Sequence, residues 1–143
     1  MDFRTSIAAL IESGLEKVFG SVALDAPSIA QSLEVPPDTA LGDYAFPCFR
    51  LAKSLRKAPP AIADQLAGAV GASFLSKIES VKGYLNFYID RSVYAREVLS
   101  AASAQGEAYG GGTEGAGRTV CIDYSSINIA KRFHIGHLST TMI

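Results

Sequence analysis

The sequence predicts an α+β domain, made of helices and a small antiparallel sheet, followed by the beginning of a different α/β domain. A hairpin pattern centred on Lys82-Gly83 lies between helical patterns and predicts the first part. An apolar strand pattern leads directly into His134-Ile-Gly-His137, the order of a nucleotide-binding corner in a Rossmann-like fold. A glycine-rich stretch separates the two parts. We therefore predict a first domain over residues 1–108, a linker over 109–118, and the first strand and first helix start of a catalytic domain over 119–143.

The first domain opens with a predicted amphipathic helix over residues 3–19, which Gly20 ends. Its apolar residues recur at spacings of three and four: Phe3, Ile7, Leu10, Ile11, Leu15, Val18 and Phe19. Ile29, Leu33 and Val35 then indicate a strand before a pair of prolines. We expect a second helix from Pro47 to Lys57 and a third from Pro59.

The strongest strand signal comes from Lys77–Val81 and Tyr84–Ile89, the two arms of the hairpin. Side chains alternate along a strand, so one face of the second arm carries Leu85, Phe87 and Ile89, and the other carries Tyr84, Asn86 and Tyr88. Asp90 is suited to cap a helix that runs to about Ala104.

Composition limits the classes of partner. Apolar residues make up 48% of the 143 residues, enough for a packed core, and the formal net charge is −1. Nucleic-acid binding must therefore come from a local patch. Cys48 and Cys121 have no metal-ligand spacing, so we expect no structural metal and a reducing compartment. We find no signal peptide pattern and no apolar run of membrane-spanning length, so we expect a cytoplasmic monomer without a membrane partner.

The histidine corner is suited to phosphate chemistry. His134 and His137 are three residues apart, so a helix places both on one side, near the positive end of the helix dipole. Donors there stabilise a phosphate whose negative charge grows in a transition state. Gly136 lets a flat purine approach, and Lys131 adds a positive charge.

The stretch from Ser125 to Leu138 is similar to the signature of the arginyl-tRNA synthetases, which are class I aminoacyl-tRNA synthetases. The lead-in Ser-Ser-x-Asn-x-Ala-Lys is peculiar to that family. Gly42-Asp-Tyr-Ala45 and Gly83–Tyr88 also resemble its N-terminal domain, which contacts the tRNA elbow. The resemblance covers essentially the whole chain, tightly over 119–143 and loosely before it.

The resemblance implies roles for individual residues. The residues that the resemblance implies for binding ATP, with its accompanying Mg²⁺, are His134, Gly136 and His137. Lys131 would act with the two histidines in catalysis. The residues that it implies for binding arginine are Asp123, Ser125, Ser126, Asn128 and His134. Hydroxyl and amide groups at these positions suit the α-carboxylate and α-amino groups of an amino acid.

Two parts of the first domain are candidates for tRNA contact. Arg50, Lys53 and Lys57 would form a basic stripe on the predicted second helix, although such a stripe is often only a solvated face. Tyr84 and Asn86, beside Lys82, suit stacking and hydrogen bonding to unpaired bases. In the family, positions that match Tyr84 and Asn86 meet the tRNA D-loop, whereas the alternative is a strand face covered by a helix.

The expected function is therefore part of an arginine–tRNA ligase, which activates arginine with ATP and transfers it to tRNA(Arg). A standalone RNA-binding module without catalysis is the alternative. A small His-x-Gly-His nucleotidyltransferase is less favoured, because more than a hundred residues precede the corner. We expect the 143 residues alone to be inactive, since one strand and a short helix have no sheet to join.

Overall fold

The computed structural model describes residues 2–20, 24–122, 130 and 132–142, with the side chain of Thr140 left aside. Its chain divides into two compact units, Met1–Gly106 and Glu107–Ile143, and each is described by itself. The first unit holds the packed core and the sheet. Within the described residues, no helix is both long and apolar enough to cross a membrane.

Helix α1, Phe3–Phe19, confirms the first predicted helix and its end at Gly20. The Asp2 carboxylate caps it by accepting hydrogen bonds from the backbone N–H groups of Arg4 and Thr5. Ile7 and Ile11 are completely buried, one helical turn apart, so the predicted apolar face is the one that meets the core.

The strand predicted around Ile29, Leu33 and Val35 is wrong for its first part, because Ala26–Ser32 form helix α2. After the helix, Glu34 makes an isolated antiparallel bridge to Ala45. The Asp25 carboxylate accepts a hydrogen bond from the backbone N–H of Ser28, and a proline in the first turn fits a helix start. Ile29 and Leu33 are four residues apart and both buried, which a helix satisfies as well as a strand.

Strand β1, Tyr44–Pro47, is followed by a broken segment and not by the predicted continuous helix to Lys57. A 3₁₀ turn over Cys48–Leu51 leads into one turn of α-helix, α3, Ala52–Leu55. Arg56 then takes a left-handed backbone conformation, with φ of 51°, and ends that helix. Helix α4, Pro59–Ala67, starts at the predicted proline.

The predicted hairpin is confirmed by strands β2, Leu75–Val81, and β3, Tyr84–Ile89. Lys82 and Gly83 join them with φ of 50° and 88°, both left-handed, as a type I′ turn requires. The sheet is antiparallel with strand order β1-β3-β2, so β3 is central. The core side of β3 packs against α4, where Leu85, Phe87, Ile62 and Leu66 are fully buried.

Asp90 caps helix α5, Arg91–Gln105, as predicted. In the second unit, helix α6, Ile135–Met142, begins inside the His-x-Gly-His sequence, also as predicted. The strand predicted over Thr119–Tyr124 is not formed by residues 119–122, where Val120 is 73% exposed. Parallel strands are normally covered on both faces, and the described residues of this unit contain no neighbouring strand.

Candidate nucleic-acid interface and histidine pair

A groove of about 330 Å³ opens on the sheet face that points away from the core. It brings together the three hairpin residues predicted to bind RNA, Lys82, Tyr84 and Asn86. The rest of its lining was not predicted from the sequence: Glu34, Pro36, Pro37, Leu41, Ala45 and Val81. These residues come from three separate stretches, so only the folded chain reveals the groove.

Asn86 is the most buried polar group in this groove. It lies opposite Ala45 and Glu79 in the sheet and is only 3% exposed. Its side chain lines an open groove, and no buried side-chain nitrogen or oxygen among the described residues lacks a hydrogen-bond partner. An amide offers both a donor and an acceptor, so its groove-facing side suits a polar ligand edge.

Tyr84 forms an aromatic corner with Phe49, a residue that the sequence analysis missed. The two ring centroids are 5.2 Å apart and the planes meet at 72°. Phe49 lies in the 3₁₀ turn after β1 and is 47% exposed. The sequence signal by which it could have been found is an aromatic residue directly before a cation, Arg50.

Tyr88 lies on the same face of β3, and its hydroxyl is hydrogen-bonded within the protein. Its hydroxyl lies 2.9 Å from the carbonyl oxygen of Ala40 and 3.1 Å from the Glu79 carboxylate, to either of which it donates. Desolvation, then the contact with Glu79, raises the pKa of Tyr88. Lys77 donates to Glu79 at 2.7 Å, and this hydrogen bond lowers the pKa of Glu79. The hydroxyl of Tyr88 is therefore engaged by neighbouring groups of the chain.

The predicted basic stripe is not a single helical face. Arg50 donates a hydrogen bond to the hydroxyl of Ser32, and Lys57 donates one to the side chain of Gln65 at 3.0 Å. Lys53 is exposed on α3. The break in the predicted helix separates the three cations into different surroundings, so they provide positive charge without forming one row.

The Gly-Asp-Tyr segment that resembled the family holds the sheet in place. The backbone N–H of Asp43 donates to the carbonyl of Phe87 at 2.8 Å, and the Asp43 carboxylate accepts from the backbone N–H of Ile89 at 2.8 Å. The same carboxylate forms an ion pair with Arg91 at 3.0 Å. Asp43 thereby fastens the start of β1 to the end of β3 and to the beginning of α5.

The two signature histidines lie together at the start of α6. Their ring centroids are 3.9 Å apart, and Phe133 packs 5.6 Å from the His137 ring. The Nδ1 atom of His137 accepts from the backbone N–H of His134, and the Nδ1 atom of His134 accepts from that of Gly136, both at 3.2 Å. Since both Nδ1 atoms accept, each neutral ring carries its hydrogen on Nε2.

Gly136 has a local reason to lack a side chain. A β-carbon there would lie 3.1 Å from Cε1 and 3.2 Å from Nδ1 of His134, tighter than ordinary packing. The glycine therefore lets the His134 ring fold back onto the first helical turn, whose residues include no acid.

Five predicted site residues lie outside the described part of the chain, and the structure gives no geometry for them: Asp123, Ser125, Ser126, Asn128 and Lys131. Among the residues that are described, no cluster of His, Cys, Asp and Glu has the arrangement of a metal site.

Two family models match this chain in succession. Residues 5–89 match the arginyl tRNA synthetase N terminal domain, and residues 98–143 match the class I (R) tRNA synthetase catalytic domain. The first match contains the hairpin and the groove, and the second contains the histidine pair. Together they define a class I tRNA synthetase.

Curated relatives agree with this class. An arginine–tRNA ligase of Clostridium beijerinckii is 43% identical over 143 residues, which is all of this chain and 24% of that protein. One of Alkaliphilus metalliredigens is 39% identical over 99% of this chain and 24% of its own length. The chain belongs to the arginyl-tRNA synthetase family and spans about a quarter of the length of these relatives.

Solved structures show the same fold. The arginyl-tRNA synthetase of Thermus thermophilus superposes with a TM-score of 0.57 and 33% identity, over 68% of this chain and 16% of that one. The Plasmodium falciparum enzyme gives a TM-score of 0.54 over 97% of this chain and 26% of that one. At 16% identity, the second likeness concerns the fold alone.

Proposed function

We propose that this chain is part of an arginine–tRNA ligase, which joins arginine to tRNA(Arg) at the expense of ATP. The relatives that match along the whole chain carry that name. The single observation that carries the tRNA part of the proposal is the groove itself, which places Lys82, Tyr84 and the 3% exposed Asn86 together on one open face. We assign residues 1–108 to tRNA binding, 109–118 to a linker and 119–143 to the start of the catalytic domain.

In this proposal the groove receives an unpaired base from the tRNA D-loop. Tyr84 stacks on the base, and the Asn86 amide forms hydrogen bonds to its edge. Lys82, exposed on the hairpin turn beside the groove, pairs with a phosphate. Arg50, Lys53 and Lys57 supply further positive charge, which strengthens binding to the tRNA backbone and makes it salt-dependent.

The second unit contributes to ATP binding. With hydrogen on Nε2, His134 and His137 donate hydrogen bonds to α-phosphate oxygens, and the N-terminus of α6 favours the same negative charge. Gly136 is the proposed adenine-facing residue, and adenine would take the place beside it that the His134 ring holds in this structure. Mg²⁺ enters with ATP and neutralises phosphate charge.

The reaction then has two steps. The arginine carboxylate attacks the α-phosphorus, which forms arginyl-adenylate and releases pyrophosphate. A hydroxyl of the terminal adenosine of the tRNA next attacks the activated carbonyl, and AMP leaves. We propose Lys131 as a further phosphate contact in the first step. Arginine is held by Asp123, Ser125, Ser126, Asn128 and His134. We further propose that the protein works in the cytoplasm as a monomer.

The tRNA assignment is tested by Tyr84→Ala and Asn86→Ala in the 143-residue chain, with Tyr109→Ala as the matched control. Tyr109 is 46% exposed and belongs to the second unit. We expect each groove variant to weaken binding of a tRNA(Arg) transcript about tenfold in a filter assay. Tyr84→Ala removes a stacking contact, which contributes roughly 1–3 kcal/mol per base, and Asn86→Ala removes hydrogen bonds to the base edge, which contribute about 1 kcal/mol each. Equal affinity of the groove variants and the wild type would reject the assignment.

A further inference from the structure

We propose that Phe49 is a second base-stacking residue, so that the first unit holds two consecutive unpaired nucleotides of a tRNA loop. This inference rests on the proposed tRNA binding at the groove and adds a neighbouring position to it. One nucleotide would occupy the groove beside Tyr84 and Asn86, and the next would stack on the exposed surface of Phe49.

The ring of Phe49 is held firmly in place. The backbone N–H of the preceding residue, Cys48, donates to the carbonyl of Gly83 at 3.1 Å, which ties the 3₁₀ turn to the hairpin turn. A β-carbon on Gly83 would lie 3.1 Å from Cζ and 3.2 Å from Cε1 of Phe49. The missing side chain at position 83 thus allows the hairpin backbone to support the ring, and a supported ring loses little entropy when a base stacks on it.

Phe49 differs from an ordinary exposed apolar residue because its ring contacts another aromatic residue, Tyr84. A single exposed apolar side chain needs no explanation by itself. Phe49, however, is 47% exposed and contacts Tyr84, the aromatic residue of the groove lining. The two rings form one continuous aromatic surface that begins inside the groove and continues outside it.

The angle between the rings determines what can bind. At 72°, the planes of Phe49 and Tyr84 are close to perpendicular. Two bases that each stack on one of these rings are therefore turned away from each other and cannot stay stacked together. Splayed bases of this kind occur in single-stranded loops, and not in a duplex.

The surrounding charge favours a polyanion over an apolar peptide. Lys82 lies on the groove, whose lining also includes one carboxylate, Glu34, and Arg50 follows Phe49 directly. Between Asp43 and Asp64 the chain carries four cations and no acid: Arg50, Lys53, Arg56 and Lys57. A strand of RNA that crosses the aromatic corner would find positive charge along this segment for its phosphates.

Fluorescence of 2-aminopurine tests the proposal. The base analogue is placed at each D-loop position of a tRNA(Arg) transcript in turn and titrated with the 143-residue chain. We expect a strong change in fluorescence at two adjacent positions. Phe49→Ala should abolish the change at one of them only and weaken binding about tenfold, whereas Phe49→Tyr should preserve both. Leu99→Ala is the control, since Leu99 is 68% exposed on α5.

The outcomes separate the two proposals. A change at one position only, or an equal loss at both positions in Phe49→Ala, would overturn the role of Phe49 while tRNA binding at the groove stands. No change at any position, together with no tRNA binding, would instead reject the proposed function. A thermal melt of each variant identifies loss of folding, and the Phe49→Tyr result decides the matter if Phe49→Ala is unfolded.

Discussion

Gly42 lies so close to the backbone of Phe87 that a β-carbon at position 42 would come within 2.8 Å of the Phe87 carbonyl oxygen. The same carbonyl accepts the hydrogen bond of the Asp43 N–H, so it cannot move away without breaking the pairing of β1 with β3. Gly42 also has φ of 97°, a conformation that side chains rarely adopt. The strand register beneath the groove therefore depends on this glycine.

Gly42→Ala should destabilise the first unit strongly. Gly20 is a matched control, because it has φ of 77° but a β-carbon at position 20 would meet nothing within 4 Å. Both alanine variants incur the backbone cost, and only Gly42→Ala adds the collision. We expect Gly42→Ala to lower the free energy of unfolding by about 2 kcal/mol more than Gly20→Ala, measured by urea denaturation. Equal decreases in the free energy of unfolding for the two variants would show that the sheet accommodates a β-carbon at position 42 without loss of stability.

The two cysteines should differ sharply in reactivity. Cys48 is completely buried, and this burial raises the pKa of its thiol to about 12, whereas Cys121 is exposed. The thiolate is the reactive form, so at pH 8 we expect one thiol to react rapidly with Ellman's reagent and the second only after unfolding. Cys121→Ser should remove the fast phase. A fast phase in that variant would contradict the burial of Cys48.

The cap of α5 should respond to acid. The side-chain hydrogen bond from Ser92, then the backbone N–H groups of Val93 and Ser92, lower the pKa of Asp90 below its ordinary 3.8. For a lowered carboxyl pKa, the stabilisation is complete above 3.8 and is lost as the pH falls through the folded-state value. We expect the Asp90 carboxyl carbon to titrate below 3.8 by NMR.

Asp90→Asn is the control for this titration, because an amide oxygen still accepts both backbone hydrogen bonds but does not titrate. Its thermal midpoint should depend less on pH than that of the wild type as the pH falls below the ordinary carboxyl value. A wild-type midpoint of the NMR titration at or above 3.8 would contradict the capping geometry.

The 143-residue chain should not catalyse arginine-dependent exchange between ATP and pyrophosphate, even with tRNA present. Its histidine pair is in place, but residues 119–122 form no strand that could support a nucleotide-binding sheet. The measurement compares the wild type with the His134→Ala, His137→Ala double variant. Exchange by the wild type above this background would show that the short second unit suffices for catalysis.

Sequence patterns predicted the elements that are determined by a few adjacent residues. The hairpin at Lys82-Gly83 and the helix after Asp90 each depend on a few adjacent residues, and both are present. The segment containing Ile29 was misassigned because its apolar spacing fits two structures, and the cap at Asp25 decides between them. The helix expected to run to Lys57 ends before it, because Arg56 takes a left-handed backbone conformation. The residues next to Arg56 give no sequence signal of this conformation.

The groove could be predicted only in part, because it joins residues far apart in sequence. The alternation along β3 correctly placed Tyr84 and Asn86 on the face opposite the core. The opposing wall depends on the pairing of Glu34 with Ala45, and the support of Phe49 depends on its contact with the hairpin. Such long-range contacts leave no periodic trace in the sequence.

The order of the sheet also bears on how copies of the chain behave toward one another. A strand at the edge of a sheet offers unpaired backbone groups to which another chain can add. The outer side of β1 is partly covered by the bridge to Glu34 and ends at a proline. The edge strand β2 has an irregularity between Leu75 and Lys77 in its pairing with β3, and it carries the charged pair Lys77 and Glu79. Both edges therefore discourage aggregation by strand addition, and the groove can remain open in a concentrated solution.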